Sequence, residues 1–254
     1  MSDILSHTES GVLTLTLHRP DRKNSINAAM YTVLADLLEG AASDPAIRVL
    51  VVQGSETVFS AGNDIGEFIE SPPLDQEAPV FRFMRCLAAF PKPLIAAVCG
   101  PAVGIGATML LHCDLVYAGD NAAFSMPFVN LGLCPEAGSS LLATRMFGHH
   151  RAAEALLLGE PFMAEAALEV GLVNRVVPPS EASTVAAMQA RKLAQKPLSA
   201  MVETKRLMKL EFAQALPQRL VEEGEAFARL VQAPAAREAF AAFAEKRRPD
   251  FTGL

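Results

Sequence analysis

Pro93–Asp114 reads PLIAAVCGPAVGIGATMLLHCD, and how it divides decides the fold. Leu94–Cys99 is a run of small or apolar residues, too short for a helix and suited to a strand buried on both faces. Gly100 and Pro101 break that run. Gly104-Ile105-Gly106 follows, and Ala107–His112 reads as a helix running inward. A strand, a glycine corner and the start of a buried helix leave backbone N–H groups free at a positive dipole end. That is equipment for holding a negative oxygen. Two plainer readings compete. The stretch is uncharged for about twenty residues, the length of a membrane span, but Gly100, Pro101, Gly104 and Gly106 at its centre argue against one. It also fits a buried strand–turn–helix with no chemistry, and the flanking sequence has to choose.

Working outward, the 254 residues are 51% hydrophobic and 20% charged, which suits one large soluble domain, or one with a helical appendage. A net charge of −6 provides no basic field, and 6% aromatics with no Trp provides few stacking platforms, so nucleic acid is not expected as a partner. Cys86, Cys99, Cys113 and Cys134 form no CxxC pair and three of them lie in apolar runs, which predicts buried, reduced thiols in a cytoplasmic protein. The polar N-terminus has no signal-peptide pattern, and the terminal FTGL is no peroxisomal address.

Upstream, Gly11–Leu17 (GVLTLTL) alternates and reads as a half-exposed strand. Asn27 caps a helix whose Met30, Val33, Leu34, Leu37 and Leu38 share a face, and Arg48–Gln53 is a second strand. Strand, helix, strand calls for a crossover unit. In Phe59–Phe68 (FSAGNDIGEF), Ala61-Gly62-Asn63-Asp64 is a tight loop with Asp64 placed to cap a short helix from Ile65. Downstream come short strands at Leu115–Ala118, Ala123–Ser125 and Leu172–Val177, then helices only, at about residues 182–194, 199–212, 217–231 and 235–246. Leu220, Phe227, Leu230 and Val231 form an apolar stripe there, either covering the main domain or also meeting another subunit.

Several motifs fail on inspection. Gly104-Ile105-Gly106 is no dinucleotide loop, because the third glycine position is Met109. There is no phosphate loop and no GxSxG elbow, and the five histidines lack metal-ligand spacing. What stands out is a carboxylate. Phe124–Leu142 (FSMPFVNLGLCPEAGSSLL) is apolar apart from Asn130, Glu136 and serines, and Glu136 precedes a helix over Ala137–Phe147. Helix-start electrostatics explain such a residue without chemistry. Its neighbours Phe128, Leu131, Leu133 and Cys134 support a second reading: a desolvated carboxyl with a raised pKa, usable as a proton carrier near neutral pH.

FSAGNDIGEF, KPLIAAVCGPAVGIGATMLLHCDL and FVNLGLCPEAGSS, in that order and spacing, resemble the crotonase (enoyl-CoA hydratase/isomerase) family, and the closing FAEKRRPDF resembles its C-terminal helix. The resemblance implies an α/β fold: a spiral of ββα units forming two roughly perpendicular sheets over residues 1–195, with a helical trimerisation region at 196–254. It implies an acyl-CoA thioester substrate, no cofactor beyond the coenzyme A that the substrate carries, and a homotrimer or dimer of trimers. By position, the N–H groups of Asn63 and Ile105 form an oxyanion hole for the thioester oxygen. CoA would lie along Lys23 and the Ser60–Ala61–Gly62–Asp64–Ile65 loop, against Gly104 and Phe128, with Lys246 a phosphate contact. Family hydratases place glutamates where this chain has Thr108 and Phe128. Pro127–Ser140 instead resembles the P-F-x-x-L-G-x-x-P-E-x-x-S-S segment of peroxisomal-type delta-3,delta-2-enoyl-CoA isomerases, in which Glu136 would be the single acid/base. The alternatives are a hydratase, an isomerase of ring-type CoA thioesters, and a non-catalytic acyl-CoA-binding subunit.

Overall fold

Alternating and unbroken apolar runs become strands in the computed structural model, which describes residues 2–254. The GVLTLTL alternation forms β2 (Val12–Leu17), but β1 (Ile4–Glu9) precedes it and pairs with it antiparallel. The connecting Ser10-Gly11 turn has φ +50 and +79, the mirror-image geometry that matches strand twist. Only Ile4 of β1 is buried, so this edge strand carries no hydrophobic signal in the sequence.

Asn27 caps α1 (Ala28–Ser43) by accepting from the Met30 N–H, and the helix returns the chain to β3 (Val49–Gln53), parallel to β2. Next come α2 (Ile65–Glu70), α3 (Pro79–Ala89) and the central strand β4 (Leu94–Val98), buried at every position. β5 (Pro101–Val103), α4 (Ile105–Thr108), β6 (Leu115–Gly119) and β7 (Ala123–Ser125) follow. α5 (Ser139–Phe147), α6 (His149–Ala153), β8 (Phe162–Met163), α7 (Ala164–Glu169) and β9 (Arg175–Val177) lead to α8 (Pro179–Ala194), α9 (Leu198–Met208), α10 (Ala215–Leu230) and α11 (Pro234–Ala244).

The large sheet has the order β1-β2-β3-β4-β6-β9, parallel except at β1, and the small one β5-β7-β8. Strand alternation feeds two cores. Leu50, Val52, Leu94, Ala96 and Val98 pack with the inner faces of α1 and α3, while Val49, Val51, Ile95 and Ala97 meet Val185, Ala186 and Ala190 of α8.

Gly100 marks the passage between sheets. Its φ is +64, and a Cβ would stand 1.9 Å from the Thr57 carbonyl oxygen, so no other residue fits. Gly100-Pro101 therefore does more than end a strand: Pro101 opens β5, pairing with Ala123, at a first position where proline is tolerated.

Buried lysines fasten the start of β4. Lys92 donates to the carbonyls of Ala41, Asp44 and Ile47 at 2.6–2.8 Å, at the negative end of α1. Lys205 of α9 donates to the Lys92 carbonyl at 2.8 Å and pairs at 2.7 Å with Asp114, whose carboxylate also accepts from the Leu94 N–H. The C-terminal stripe covers the main domain: Phe227 and Val231 are buried in the principal core, and Phe227 meets Phe68 edge-on at 5.9 Å. Cys99 is buried, but Cys86, Cys113 and Cys134 are half-buried, at the margins of the apolar runs; all are free thiols. No helix among the described residues is long and apolar enough to cross a membrane.

Candidate active site

Two backbone corners meet at the end of β5. The Ser60 side chain is buried, donating to the Asn24 carbonyl at 2.9 Å and accepting from the Gly62 N–H at 3.1 Å. It shapes the loop and leaves its neighbours to face a ligand. The loop then lies along β5, where the Val103 N–H donates to the Ser60 carbonyl at 2.9 Å. Gly62 has φ +89, and a Cβ there would stand 2.8 Å from the Val103 oxygen. The second corner is Gly104, with φ +54 and ψ −121. Nothing would touch a Cβ at Gly104, so what it supplies is backbone conformation rather than space.

α4 starts at Ile105, two residues before the expected Ala107, which puts the Ile105 N–H at the first helical position. Among the described residues, neither the Asn63 nor the Ile105 N–H donates a hydrogen bond to the protein. Both loops thus present a free donor at the same join.

Glu136 does not open α5. The helix begins at Ser139, because Ala137 and Gly138 both take positive φ, +59 and +70. The start of α5 is held instead by Glu223 of α10, which accepts from the Gly138 N–H (2.6 Å), the Ser140 N–H (3.0 Å) and the Ser140 hydroxyl (2.5 Å). Helix-start electrostatics therefore belong to Glu223, and Glu136 is left over for something else. It is 2% exposed. Its Oε1 accepts from the Thr108 hydroxyl at 2.6 Å, while its Oε2 is buried with no partner among the described residues. Burial raises its pKa to about 8; the Thr108 hydrogen bond opposes that shift and the Glu223 charge adds to it. A carboxyl so tuned can take a proton and return it near neutral pH. Thr108 closes the α4 segment that Ile105 opens, so the free donor and the free carboxyl oxygen belong to one local assembly.

The other candidates divide by place. Ala61 donates to the Lys23 carbonyl at 3.0 Å, which seats the exposed Lys23 beside the loop. Asp64 caps α2 through the Glu67 N–H and pairs with Arg19 at 2.7 Å, a structural use. Ile65 packs against the core, and Phe128 is buried near the chain that carries Glu136. Lys246 lies exposed past α11 and makes no hydrogen bond to these residues among those described. Two further residues of the site carry no local signal in the sequence. Glu223 lies far along the chain, and Tyr31 sits at helical spacing with Met30 and Leu34, indistinguishable there from core.

A cavity of about 810 Å³ lies between α3, α9 and α10 and includes neither free donor nor Glu136. His112 lines it and donates Nε2–H to the Ala137 carbonyl at 2.7 Å, so it backs onto the Glu136 segment.

Comparison with known proteins gives the family. Over 256 residues the chain is 36% identical to the 2,3-dehydroadipyl-CoA hydratase of Escherichia coli K12, covering all of both chains. It is 38% identical over 212 residues to enoyl-CoA delta isomerase 2 of Rattus norvegicus, covering 81% of this chain and 54% of that one. The solved structure of Pseudomonas aeruginosa OdaA superposes with a TM-score of 0.93 at 48% identity, over 96% of this chain and 99% of that one. The enoyl-CoA hydratase/isomerase family model matches residues 7–254, and the chain belongs to that family, with its crotonase fold.

Proposed function

We propose that the protein is a delta-3,delta-2-enoyl-CoA isomerase, moving the double bond of a 3-enoyl-CoA into conjugation with the thioester. The observation that carries this reading is Glu136, a buried carboxyl with one bonded and one bare oxygen, while the positions of Thr108 and Phe128 hold no acidic residue. Ionised Glu136 takes the alpha proton. The Asn63 and Ile105 N–H groups hold the dienolate oxygen, each such donor being worth about 3 kcal/mol. Protonated Glu136 then returns the proton to the gamma carbon. One carboxyl suffices because the proton is moved and not consumed. Phe128 keeps the site dry and protects the intermediate. The likeness to a delta isomerase supports the same reaction.

The second reading is hydration, favoured by the full-length likeness to a hydratase. It needs a further group to manage the added water, and Thr108, already committed to Glu136, is the only polar side chain among the described residues bonded to that carboxyl. CoA would run along Lys23 and the Ala61–Ile65 loop. Exposed Leu207, Met208 and Leu210 give the C-terminal helices an apolar surface for a homotrimer or a dimer of trimers.

Trans-3-hexenoyl-CoA tests the reaction. Conjugation raises ultraviolet absorbance in wild type and not in Glu136→Gln. Wild type that binds the thioester without conjugating it overturns the isomerase reading, and hydration of trans-2-hexenoyl-CoA at a high rate moves the assignment to the second reading.

A further inference from the structure

Tyr31 is buried on the core side of α1, 2% exposed, with its ring against Phe83 at 5.4 Å. Its place in an apolar stripe explains the ring and leaves the hydroxyl to be explained. That hydroxyl donates to Asn63 Oδ1 and is the one side-chain partner of Asn63 among the described residues. The backbone on either side of Asn63 is pinned as well: the Ile26 N–H donates to the Gly62 carbonyl at 2.8 Å, and the Asp64 N–H donates to the Ile26 carbonyl at 3.0 Å. Among the described residues, the Asn63 N–H is the group in this loop without a protein partner.

We infer that Tyr31 is a positioning residue: it clamps the Asn63 side chain so that the Asn63 N–H stays aimed at the thioester oxygen. This rests on the oxyanion role proposed above for Asn63. A phenol on a helix core is a rigid anchor, since the ring is locked by packing and only the hydroxyl reaches the loop. The loop bends through Gly62, whose φ of +89 is held by its surroundings rather than by its own preference. An oxyanion donor displaced by a fraction of an ångström loses much of its effect, because its value lies in preorganisation. Burial holds the phenol pKa well above its usual value, and the charges of Glu136 and Glu67 add to this, so the hydroxyl remains a donor throughout the working pH range.

The test compares Tyr31→Phe, Asn63→Ala and the double variant, all of which keep the Asn63 N–H. Tyr31→Phe should lower kcat about tenfold, the weight of one oriented hydrogen bond, with KM changed less than about twofold and the melting temperature close to wild type. Asn63→Ala should match it, and the double variant should be no worse than either, because both remove one clamp. The infrared C=O stretch of bound hexanoyl-CoA provides a readout independent of the reaction. Wild type should shift it to lower frequency, and Tyr31→Phe should reduce that shift. A shift equal in the two proteins overturns the clamp, as does additive loss in the double variant. An inactive wild type that still shifts the carbonyl, and loses the shift in Tyr31→Phe, keeps the clamp while removing the isomerase reading.

Discussion

The loop before α5 and the first turn of α5 are neighbours in the chain and opposites in chemistry. In the first turn, Glu223 arrives from α10 and is saturated by two backbone N–H groups and the Ser140 hydroxyl. In the loop, Glu136 has one hydrogen bond and one bare oxygen. Both carboxyls are buried and both have raised pKa values. Burial alone therefore does not distinguish a saturated carboxylate from an under-bonded one. The distinction is in the count of donors: a saturated group is fixed in place, whereas an under-bonded one has capacity left for a substrate.

The largest expected effect tests that contrast at its under-bonded end. Glu136→Gln should cost turnover about a thousandfold, within the range for loss of a general acid/base, while hexanoyl-CoA binding persists in calorimetry. The same variant should alter stability with a definite sign. With the folded pKa near 8 and the ordinary value at 4.5, the folded state keeps a proton that the unfolded chain releases between those values. Wild type should therefore lose stability as pH rises from 4.5 to 8, and Glu136→Gln should flatten that slope in melting curves taken across the range.

Glu223→Ala tests the structural end. It strips the acceptor from the buried Gly138 N–H and the half-buried Ser140 N–H and should destabilise the fold by about 2–4 kcal/mol in urea titration. An unchanged midpoint with activity lost would erase the division between the two carboxyls. A smaller effect sharpens it. Thr108→Val removes the hydrogen bond that favours ionised Glu136, so the ascending limb of kcat/KM against pH, centred near 8 in wild type, should move to higher pH by up to about one unit. Smallest is Asp64→Ala, which loses the α2 cap and the Arg19 pair and should cost about 1 kcal/mol in thermal melts.

What was legible in the sequence was whatever a short stretch encodes by itself. Leu94–Val98 reads as a buried strand because it is uniformly apolar, and the glycines at positions 62, 100 and 104 announce corners because few other residues take those angles. Glu136 stood out as a lone carboxylate among apolar neighbours, but its neighbours alone left two explanations open. The choice between them needed Glu223, which lies 85 residues along the chain from Gly138 and has no local signature. Tyr31 was hidden for a different reason: on a helix face it shares the spacing of Met30 and Leu34, and a hydroxyl that reaches a loop leaves no periodic trace. β1 was invisible because an exposed edge strand needs no apolar face. Local rules located the donors and the carboxyl, and the residues that tune and hold them come from across the fold.

The lysine that fastens β4 has a consequence for the order in which the molecule assembles. Lys205 reaches Asp114 across 91 residues and the Lys92 carbonyl across 113, closing the start of the central strand from far downstream. Closing a loop of that length costs on the order of 4 kcal/mol in chain entropy, so the contact forms late, once the sheet already exists to receive it. During synthesis the strand must therefore wait, with Asp114 lacking its cation, until α9 has emerged from the ribosome. A nascent chain stopped before residue 205 should hold a sheet whose central strand exchanges amide hydrogens faster at Leu94 than the finished protein does.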